Sequence, residues 1–208
     1  MPALKVAFSM QPVARWGALF HVLTLERPDV SLEWVPAVFP RLDRSLLDGA
    51  DVGLFLEPQP EPGLHSLAVG VSRMVVVMAA GHRLARHHEL RVAEVLDEPF
   101  PDGRELHPAW RAFWTLDAQR GGAPPRSHVE VTDSEQAIAL VASGRAIATF
   151  PEALADGLPH PGLISLPLVD GPLVTTRLVW RADETNGAVH TLVDIARAMY
   201  AELGLGGS

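Results

Sequence analysis

The amino-acid sequence predicts an α/β fold of two lobes, and two stretches of the chain support that prediction. Between residues 4 and 56, three short apolar runs alternate with two stretches of helical pattern. This β-α-β-α-β order is typical of a parallel sheet covered by helices. In residues 131–151, VTDSEQAIALVASGRAIATFP, helical spacing up to Gly144 gives way to a short apolar run closed by Pro151, which indicates a further helix and strand.

Proline and glycine positions set the limits of the elements in the first part of the chain. Pro12 suits the first turn of a helix because its missing N–H has no partner there, and Pro28 ends that helix. Gly49 stops a second, short helix. The predicted elements are a strand at 4–8, a helix at 12–27, a strand at 30–38, a helix at 41–49 and a strand at 51–56.

The rest of the chain alternates less regularly. Besides the helix and strand of 131–151, we predict strands near 64–70, 73–79, 127–131, 163–168 and 173–181, and helices at 92–96, 107–119 and 186–203. We expect the chain to cross between lobes near residues 72 and 168. Lobe I would then comprise residues 1–72 and 168–208, and lobe II residues 73–167.

Composition and charge exclude several classes of function. The 208 residues carry a net charge of −8, and 48% of them are apolar. A protein that binds nucleic acid usually presents a basic surface, so this chain alone is a poor candidate. The lack of cysteine excludes disulfides and thiolate zinc sites. We see no signal peptide and no run of membrane-spanning length, and we expect a cytoplasmic protein with no membrane partner.

The familiar catalytic and cofactor-binding motifs are missing from the sequence. It contains no G-x-G-x-x-G after a strand, no phosphate-binding P-loop, no H-E-x-x-H and no G-x-S-x-G. His82, His87 and His88 have no carboxylate at a spacing that would complete a metal site. The sequence therefore predicts no metal, no cofactor and no enzymatic activity.

Two other groups of residues favour structural roles. Asp133 or Ser134 is placed to cap the helix that follows, because a side-chain oxygen there can accept a backbone N–H. Trp110, Phe113 and Trp114 share one helix face, which is typical of a core, with ligand stacking as the alternative.

Five separated segments carry a family resemblance. They are LKVAFS, ERPDVSLEWV, LLDGADVGLFLEP, VVVMAAGHRLARHHELRVAEVLDEPF and AIALVASGRAIATFPEAL. In order and spacing they resemble segments of the effector-binding domain of LysR-type transcriptional regulators, such as that family's RYPDV and HPLA motifs. The resemblance runs from about Leu4 to Leu203, nearly the whole chain.

This resemblance implies two Rossmann-like lobes joined by two crossover strands, as in type II periplasmic binding proteins. It places a small-molecule effector in the cleft between the lobes. Physical chemistry agrees, because open parallel sheets bind ligands at the carboxyl ends of their strands and helix N-termini attract anions or carbonyl oxygens. The expected ligand-binding residues are Ser9, Met10, Gln11, Phe39, Pro40, Phe55, Leu56, Pro101, Asp102, Thr132, Asp133, Ser134 and Phe150.

Some of these positions have an alternative role. Ser9 can equally cap the first helix, and Phe39, Phe55 and Phe150 can equally belong to the core. Some family members that sense aromatic acids carry an arginine near the position of Leu56, and that carboxylate clamp is absent here. We therefore expect an effector with substantial apolar surface.

The resemblance also implies partners. Family members form antiparallel dimers through the first helix and a helix of the second lobe. They bind DNA through an N-terminal winged helix-turn-helix domain, which we expect this chain to lack, whether by excision or by nature. The expected function is small-molecule sensing and assembly of a homodimer or homotetramer in a LysR-type regulator, with DNA bound only through the missing domain. A solute-binding protein of a transporter is the first alternative, and an enzyme on this scaffold is the second.

The first helix has enough apolar residues to contact both the core and a partner: Trp16, Leu19, Phe20 and Leu23.

Overall fold

The chain folds into two compact units that each combine strands and helices. The structure is a computed structural model, and it describes residues 3–8, 16–36, 44–57, 62–103, 106–155 and 161–201. One unit consists of Met1–Val71 with Thr175–Ser208, and the other of Ser72–Val174. The predicted α/β class is confirmed.

Ten strands and six α-helices are present in the described residues. In chain order they are β1 (Ala3–Phe8), α1 (Gly17–Glu26), β2 (Ser31–Pro36), β3 (Val52–Leu56), β4 (Leu64–Ser72), β5 (Met74–Ala79), α2 (Val92–Val95), β6 (Phe100–Asp102), α3 (Pro108–Trp114), β7 (His128–Glu130), α4 (Ser134–Ala142), β8 (Ala148–Pro151), α5 (Glu152–Ala155), β9 (Leu163–Pro167), β10 (Val174–Arg181) and α6 (Gly187–Tyr200).

The first unit is built on a five-stranded sheet with the order β2-β1-β3-β10-β4. β1 runs parallel to both β2 and β3, as the alternation of strands and helices predicts. β10 returns antiparallel to β3. The carboxyl ends of β1 and β3, at Phe8 and Leu56, therefore lie at the same edge of the sheet.

Alternating side chains of β1 pack into two hydrophobic clusters on the two faces of this sheet. Leu4 and Val6 join the larger cluster, whereas Ala7 packs with Phe55 and Val179 in the smaller one. α1 and α6 contact each other over the larger cluster. They bury Trp16, Leu19, Phe20, Leu23, Ala188, Val189, Leu192, Val193 and Ala196 in it. The apolar arc predicted on the first helix thus lies in the core of its own unit.

The second unit contains two small sheets. β5 lies between β8 and β9 and is antiparallel to both, and β6 pairs with β7 in parallel. Val129 and Val131 pack with Leu140 of α4, so α4 covers one face of the β6–β7 pair. Because side chains alternate along a strand, Asp102 and His128 point to the other face.

α4 begins and ends where the sequence predicts. Asp133 has an extended backbone, and its side chain accepts a hydrogen bond from the backbone N–H of Gln136, so Asp133 is the N-cap. After Ser143 the chain reaches Gly144, whose φ of 73° lies in the left-handed region. Glycine enters that region without the steric cost of a Cβ, which makes it a common helix stop.

Two predicted helices are shorter than expected. Of the predicted helix at 41–49, the described part forms a 3-10 turn at Arg44–Leu47. The helix predicted at 107–119 ends at Trp114, and Leu116 has a φ of 61°. Leu116 is fully buried, so packing of this side chain holds the backbone in a region that leucine rarely adopts.

Candidate functional site

The carboxyl ends of β6 and β7 form a polar edge in the second unit. β6 ends at Asp102, which lies opposite Glu130 of β7. The N–H of Val131 donates to the carbonyl oxygen of Asp102 at 2.9 Å, which extends the strand pairing by one step. The chain then enters α4. Five of the predicted ligand-binding residues meet at or beside this edge: Pro101, Asp102, Thr132, Asp133 and Ser134.

Asp102 is a buried carboxylate at this edge, with 8% of its side chain exposed. Oδ1 accepts a hydrogen bond from Nη1 of Arg111 at 3.3 Å, and Oδ2 lies 3.5 Å from Nε2 of His128. A carboxylate removed from water is unfavourable unless donors or cations face it. Arg111 supplies a donor to Oδ1, and the His128 ring lies beside Oδ2.

Arg111 and His128 were not among the site residues predicted from the sequence. Strand alternation places His128 on the same face as Glu130, yet only the β6–β7 register brings it beside Asp102. Two three-residue strands specify that register weakly in sequence. The side chains of Arg111 and His128 are 34% and 40% exposed, so both remain accessible to a small molecule.

Thr132, Asp133 and Gln136 form a closed hydrogen-bond network at the start of α4. The Gln136 amide Nε2 donates to Thr132 Oγ1 at 2.6 Å and to Asp133 Oδ2 at 3.0 Å. The Thr132 backbone N–H in turn donates to Gln136 Oε1 at 3.1 Å, and Asp133 Oδ1 accepts the Gln136 backbone N–H at 2.8 Å. Because Thr132 is exposed, a ligand group can replace one of these hydrogen bonds without disturbing the core.

Phe150 lies in the antiparallel sheet rather than on the β6–β7 pair. It is half-buried and packs against a cluster that contains Val75, Val77 and Val141. It is the last residue but one of β8. Its packing fits the core role that the sequence left open, and a role in ligand binding stays a prediction.

At the carboxyl end of β3, Phe55 and Leu56 are both buried. The Phe55 ring folds back over the strand, and an added Cβ on Gly53 would lie 2.1 Å from ring atom Cε2. The Phe55 ring can therefore lie here only because residue 53 is glycine and has no Cβ. Phe55 packs with Leu46 and Leu47 in the smaller cluster of the first unit.

A partly buried charge pair follows the same strand. Glu57 comes directly after β3, and its Oε1 lies 4.0 Å from Nε of Arg177 on β10. Both side chains are 15% exposed. Position 56 itself is leucine and not arginine. The antiparallel pairing of β10 with β3, however, places Arg177 opposite Phe55. A guanidinium is thus present close to this end of β3.

Some predicted ligand-binding residues lie outside the described residues. They are Ser9, Met10, Gln11, Phe39 and Pro40. Within the described part of the chain, no group of three or more histidines, aspartates or glutamates is placed to hold a metal ion. No helix in that part is long and apolar enough to cross a membrane.

In one class of α/β domain, parallel strands end at polar side chains and lead into the N-terminus of a helix. Ligands bind to such open sheets at the carboxyl ends of the strands. The family model of the LysR substrate binding domain matches residues 2–201. The chain therefore belongs to the LysR substrate-binding domain family, as the sequence segments indicated.

One relative and three solved structures illustrate this membership. An uncharacterized HTH-type transcriptional regulator of Bacillus subtilis (strain 168), YwbI, is 27% identical over 159 residues, which are 75% of this chain and 52% of that protein. The chain thus spans about half the length of this relative. The effector-binding domain of a BenM variant is 18% identical with a TM-score of 0.72, covering 99% of this chain and 97% of that one.

Two further structures share the fold. The BenM effector-binding domain with its effector benzoate has a TM-score of 0.70 at 18% identity, covering 100% of this chain and 96% of that one. The reduced form of the OxyR regulatory domain from Pseudomonas aeruginosa has a TM-score of 0.66 at 20% identity, covering 95% of this chain and 98% of that one. At these identities the likeness concerns the fold.

Proposed function

We propose that this chain is the effector-sensing domain of a LysR-type transcriptional regulator and performs no chemistry of its own. The family match over residues 2–201 carries the proposal. An effector acts by binding one arrangement of the protein better than another, and it shifts the population only by that difference in affinity. Because the matched segment covers only 52% of the Bacillus subtilis relative, DNA binding would come from another part of such a protein.

The effector would contact the carboxyl ends of the strands. In the second unit, Thr132 and Gln136 offer donors and acceptors that already bond to each other, so a ligand group replaces one internal bond. Asp102 would hold Arg111 in place at the end of β6. Phe55 and Leu56, with the five residues outside the described part, remain the proposed contribution of the first unit. Their location between two lobes stays the prediction made from the sequence.

The class of effector can be decided by matched compounds. The apolar residues favour a ligand with substantial apolar surface. Arg111 and Arg177 add guanidinium groups near the strand ends, which favour a carboxylate. Benzoate and benzamide share a ring and differ in charge, so the pair separates the two contributions. If acids alone bind, the sequence-based expectation of a mainly apolar binding cleft is wrong.

A thermal-shift panel of carboxylates and neutral apolar compounds tests the proposal, since a ligand that binds only the folded protein raises its melting temperature. We expect at least one compound to stabilise the wild type and Thr132→Val to abolish that shift. Thr24→Val is the matched control, because Thr24 is exposed on α1 and its hydroxyl donates to the carbonyl oxygen of His21. Stabilisation that survives in Thr132→Val would remove Thr132 from the site, and a panel with no active compound would contradict the sensing role.

The same proposal includes assembly into a homodimer or homotetramer and a cytoplasmic location. The four apolar residues predicted on α1 are buried within their own unit. A partner would therefore meet the exposed face of this helix, where 66% of Leu25 is exposed. Light scattering on the wild type and on Leu25→Lys tests this, since a charge at the contact is expected to lower the oligomer mass. An unchanged oligomer would place the contact elsewhere.

A further inference from the structure

A cavity of about 500 Å³ opens in the first unit, at the opposite edge of the sheet from the strand ends discussed above. Trp180 at the end of β10 pairs with Val52, the first residue of β3, and this places the cavity at the amino end of β3. The walls come from the start of β4, the end of β10 with the turn that follows, and one face of α6. They are His65, Ser66, Leu67, Trp180, Arg181, Ala182, Glu184, His190, Val193, Asp194 and Arg197.

The floor of this cavity includes apolar side chains, although polar groups make up most of the lining. Trp180 and Val193 are buried members of the larger hydrophobic cluster, and Leu67 packs against it. The His65 ring lies beside Trp180, with 5.8 Å between ring centroids and 43° between ring planes. An apolar group that enters the cavity would contact these apolar side chains, which favours its binding.

The rim carries two positive and two negative side chains. Arg181 is held by the carbonyl oxygens of Ala50, at 2.9 Å, and Leu47. Among the described residues, no carboxylate forms an ion pair with it. Glu184 Oε1 accepts the backbone N–H groups of Thr185 and Asn186 at 2.9 and 2.8 Å, which fixes that carboxylate.

The other two charges lie on one face of α6. Asp194 Oδ1 and Arg197 Nη1 are 3.1 Å apart, and their side chains are 73% and 59% exposed. An ion pair this exposed contributes little to stability, so each partner can turn towards a ligand at small cost. One helical turn earlier, Nε2 of His190 lies 3.1 Å from the carbonyl oxygen of Glu184. Because a carbonyl only accepts, Nε2 carries the hydrogen, and Nδ1 of the neutral ring is an acceptor.

We propose that this cavity binds a small zwitterion with an apolar side chain, such as an α-amino acid. The carboxylate would pair with Arg181 and Arg197, and the ammonium group with Asp194 and Nδ1 of His190. The side chain would cover the apolar floor. A ligand with a single charge would leave either the two arginines or Asp194 without a ligand group of opposite charge. This difference is the physical basis of the expected selectivity for zwitterions. The volume lies in the range of small-molecule sites.

Three related compounds test the charge requirement. L-Phenylalanine carries both charges, 3-phenylpropionate lacks the ammonium group and phenethylamine lacks the carboxylate. In calorimetric titrations of the whole chain, we expect phenylalanine to bind and each analogue to bind about tenfold more weakly or worse, since each loses a charge-assisted contact. The proposal is overturned if phenylalanine does not bind, or if either analogue binds as tightly.

Paired variants locate the binding. Asp194→Asn and Arg197→Gln are each expected to weaken phenylalanine binding about tenfold. The controls are Asp97→Asn and Arg126→Gln, which remove an exposed ion pair of the second unit, with its atoms 4.0 Å apart. They are expected to leave the dissociation constant unchanged. Thermal melting checks that all four variants fold. Binding that persists unchanged in both cavity variants places the ligand elsewhere and overturns the assignment.

Discussion

The carboxylate of Asp102 and the guanidinium of Arg111 are unequally buried partners, with Oδ1 and Nη1 3.3 Å apart and side-chain exposures of 8% and 34%. Removing the cation leaves a buried anion with less compensation. Removing the anion leaves an arginine that water can reach. The pair therefore couples the stability of the polar end of β6 to α3. Loss of Arg111 should destabilise the protein more than loss of Asp102.

Arg111→Gln tests that dependence. We expect the free energy of unfolding to fall by about 1–2 kcal/mol, because Asp102 stays buried and, of its two partners among the described residues, keeps only His128 nearby. Urea denaturation measures the change. Arg126→Gln is the control, since Arg126 and Asp97 are both more than four-fifths exposed and their pair should contribute less than about 0.5 kcal/mol. Equal effects of the two variants would contradict a buried charge at Asp102.

The N-cap of α4 gives a second prediction. Asp133→Ala removes the acceptor of the Gln136 N–H and should lower the free energy of unfolding by about 1 kcal/mol. Asp133→Asn keeps an oxygen in the same place and should change it by a few tenths of a kcal/mol at most. Chemical denaturation of both variants separates the cap from the negative charge. If asparagine were as destabilising as alanine, the charge rather than the cap would matter.

The fold was predictable because its signals are local. The alternation of strands and helices indicated the parallel strands β1 to β3, and the cap at Asp133 needs only a bond to Gln136, three residues along the chain. The end of α3 was not predictable in the same way. Nothing in HPAWRAFWTLDAQ breaks a helix, and the break depends on burial of Leu116 in the folded protein. Tertiary packing outweighed local preference there.

The candidate site was predictable only where strand ends sufficed. The pattern placed Thr132 directly after a predicted strand, whereas Asp102 fell in a stretch with no predicted strand; the pairing of β6 with β7 brings both to one edge. Arg111 and His128 could be named as partners of Asp102 only with the β6–β7 register and the position of α3, which the sequence does not specify. Phe55 marks another limit. Its place at the end of β3 was clear, but its burial over Gly53 depends on the ring orientation.

Gly53→Ala is expected to disturb the end of β3. The new Cβ would lie 2.1 Å from Phe55 Cε2, so the ring must leave its packed position, at a cost of about 1–3 kcal/mol in the free energy of unfolding. Urea denaturation gives the value, and a second substitution, Phe55→Leu, should recover part of it. Gly17→Ala is the control, since no heavy atom within 4 Å meets its Cβ and alanine favours a helix. A Gly53 variant as stable as the Gly17 variant would show that the ring moves freely.

The pH dependence of stability includes a contribution from Asp29. Hydrogen bonds from Nε and Nη2 of Arg27, at 2.9 and 2.8 Å, lower the pKa of Asp29. The pKa in the folded state is thus below that in the unfolded state. The contribution is present above the unfolded pKa and is lost as pH falls through the folded pKa. A carboxyl NMR titration should show the lowered pKa in the wild type and its ordinary value in Arg27→Gln. The same pKa in both would exclude the hydrogen bonds as its cause.

Arg120 anchors the region that leads into β6. Its side chain is 9% exposed, and burial lowers the pKa of Arg120 although arginine stays protonated in proteins. Nε and Nη2 donate to the carbonyl oxygen of Leu96 at 3.1 and 2.9 Å, and Nη1 donates to that of Thr115. The guanidinium also lies 5.1 Å from the ring centre of Phe100, the first residue of β6.

Replacing Arg120 should therefore be the most destabilising of the substitutions considered. Arg120→Met keeps the apolar stem but leaves the carbonyl oxygens of Leu96 and Thr115 without this donor and the buried Asp117 carboxylate without its cation, at an expected cost of about 3–5 kcal/mol. Arg120→Lys should fall between methionine and the wild type, because one ammonium group cannot reach both carbonyls and stack on Phe100. Urea denaturation orders the three proteins. If lysine matched the wild type, charge alone would suffice, and the forked geometry of the guanidinium would have no part in holding β6 in place.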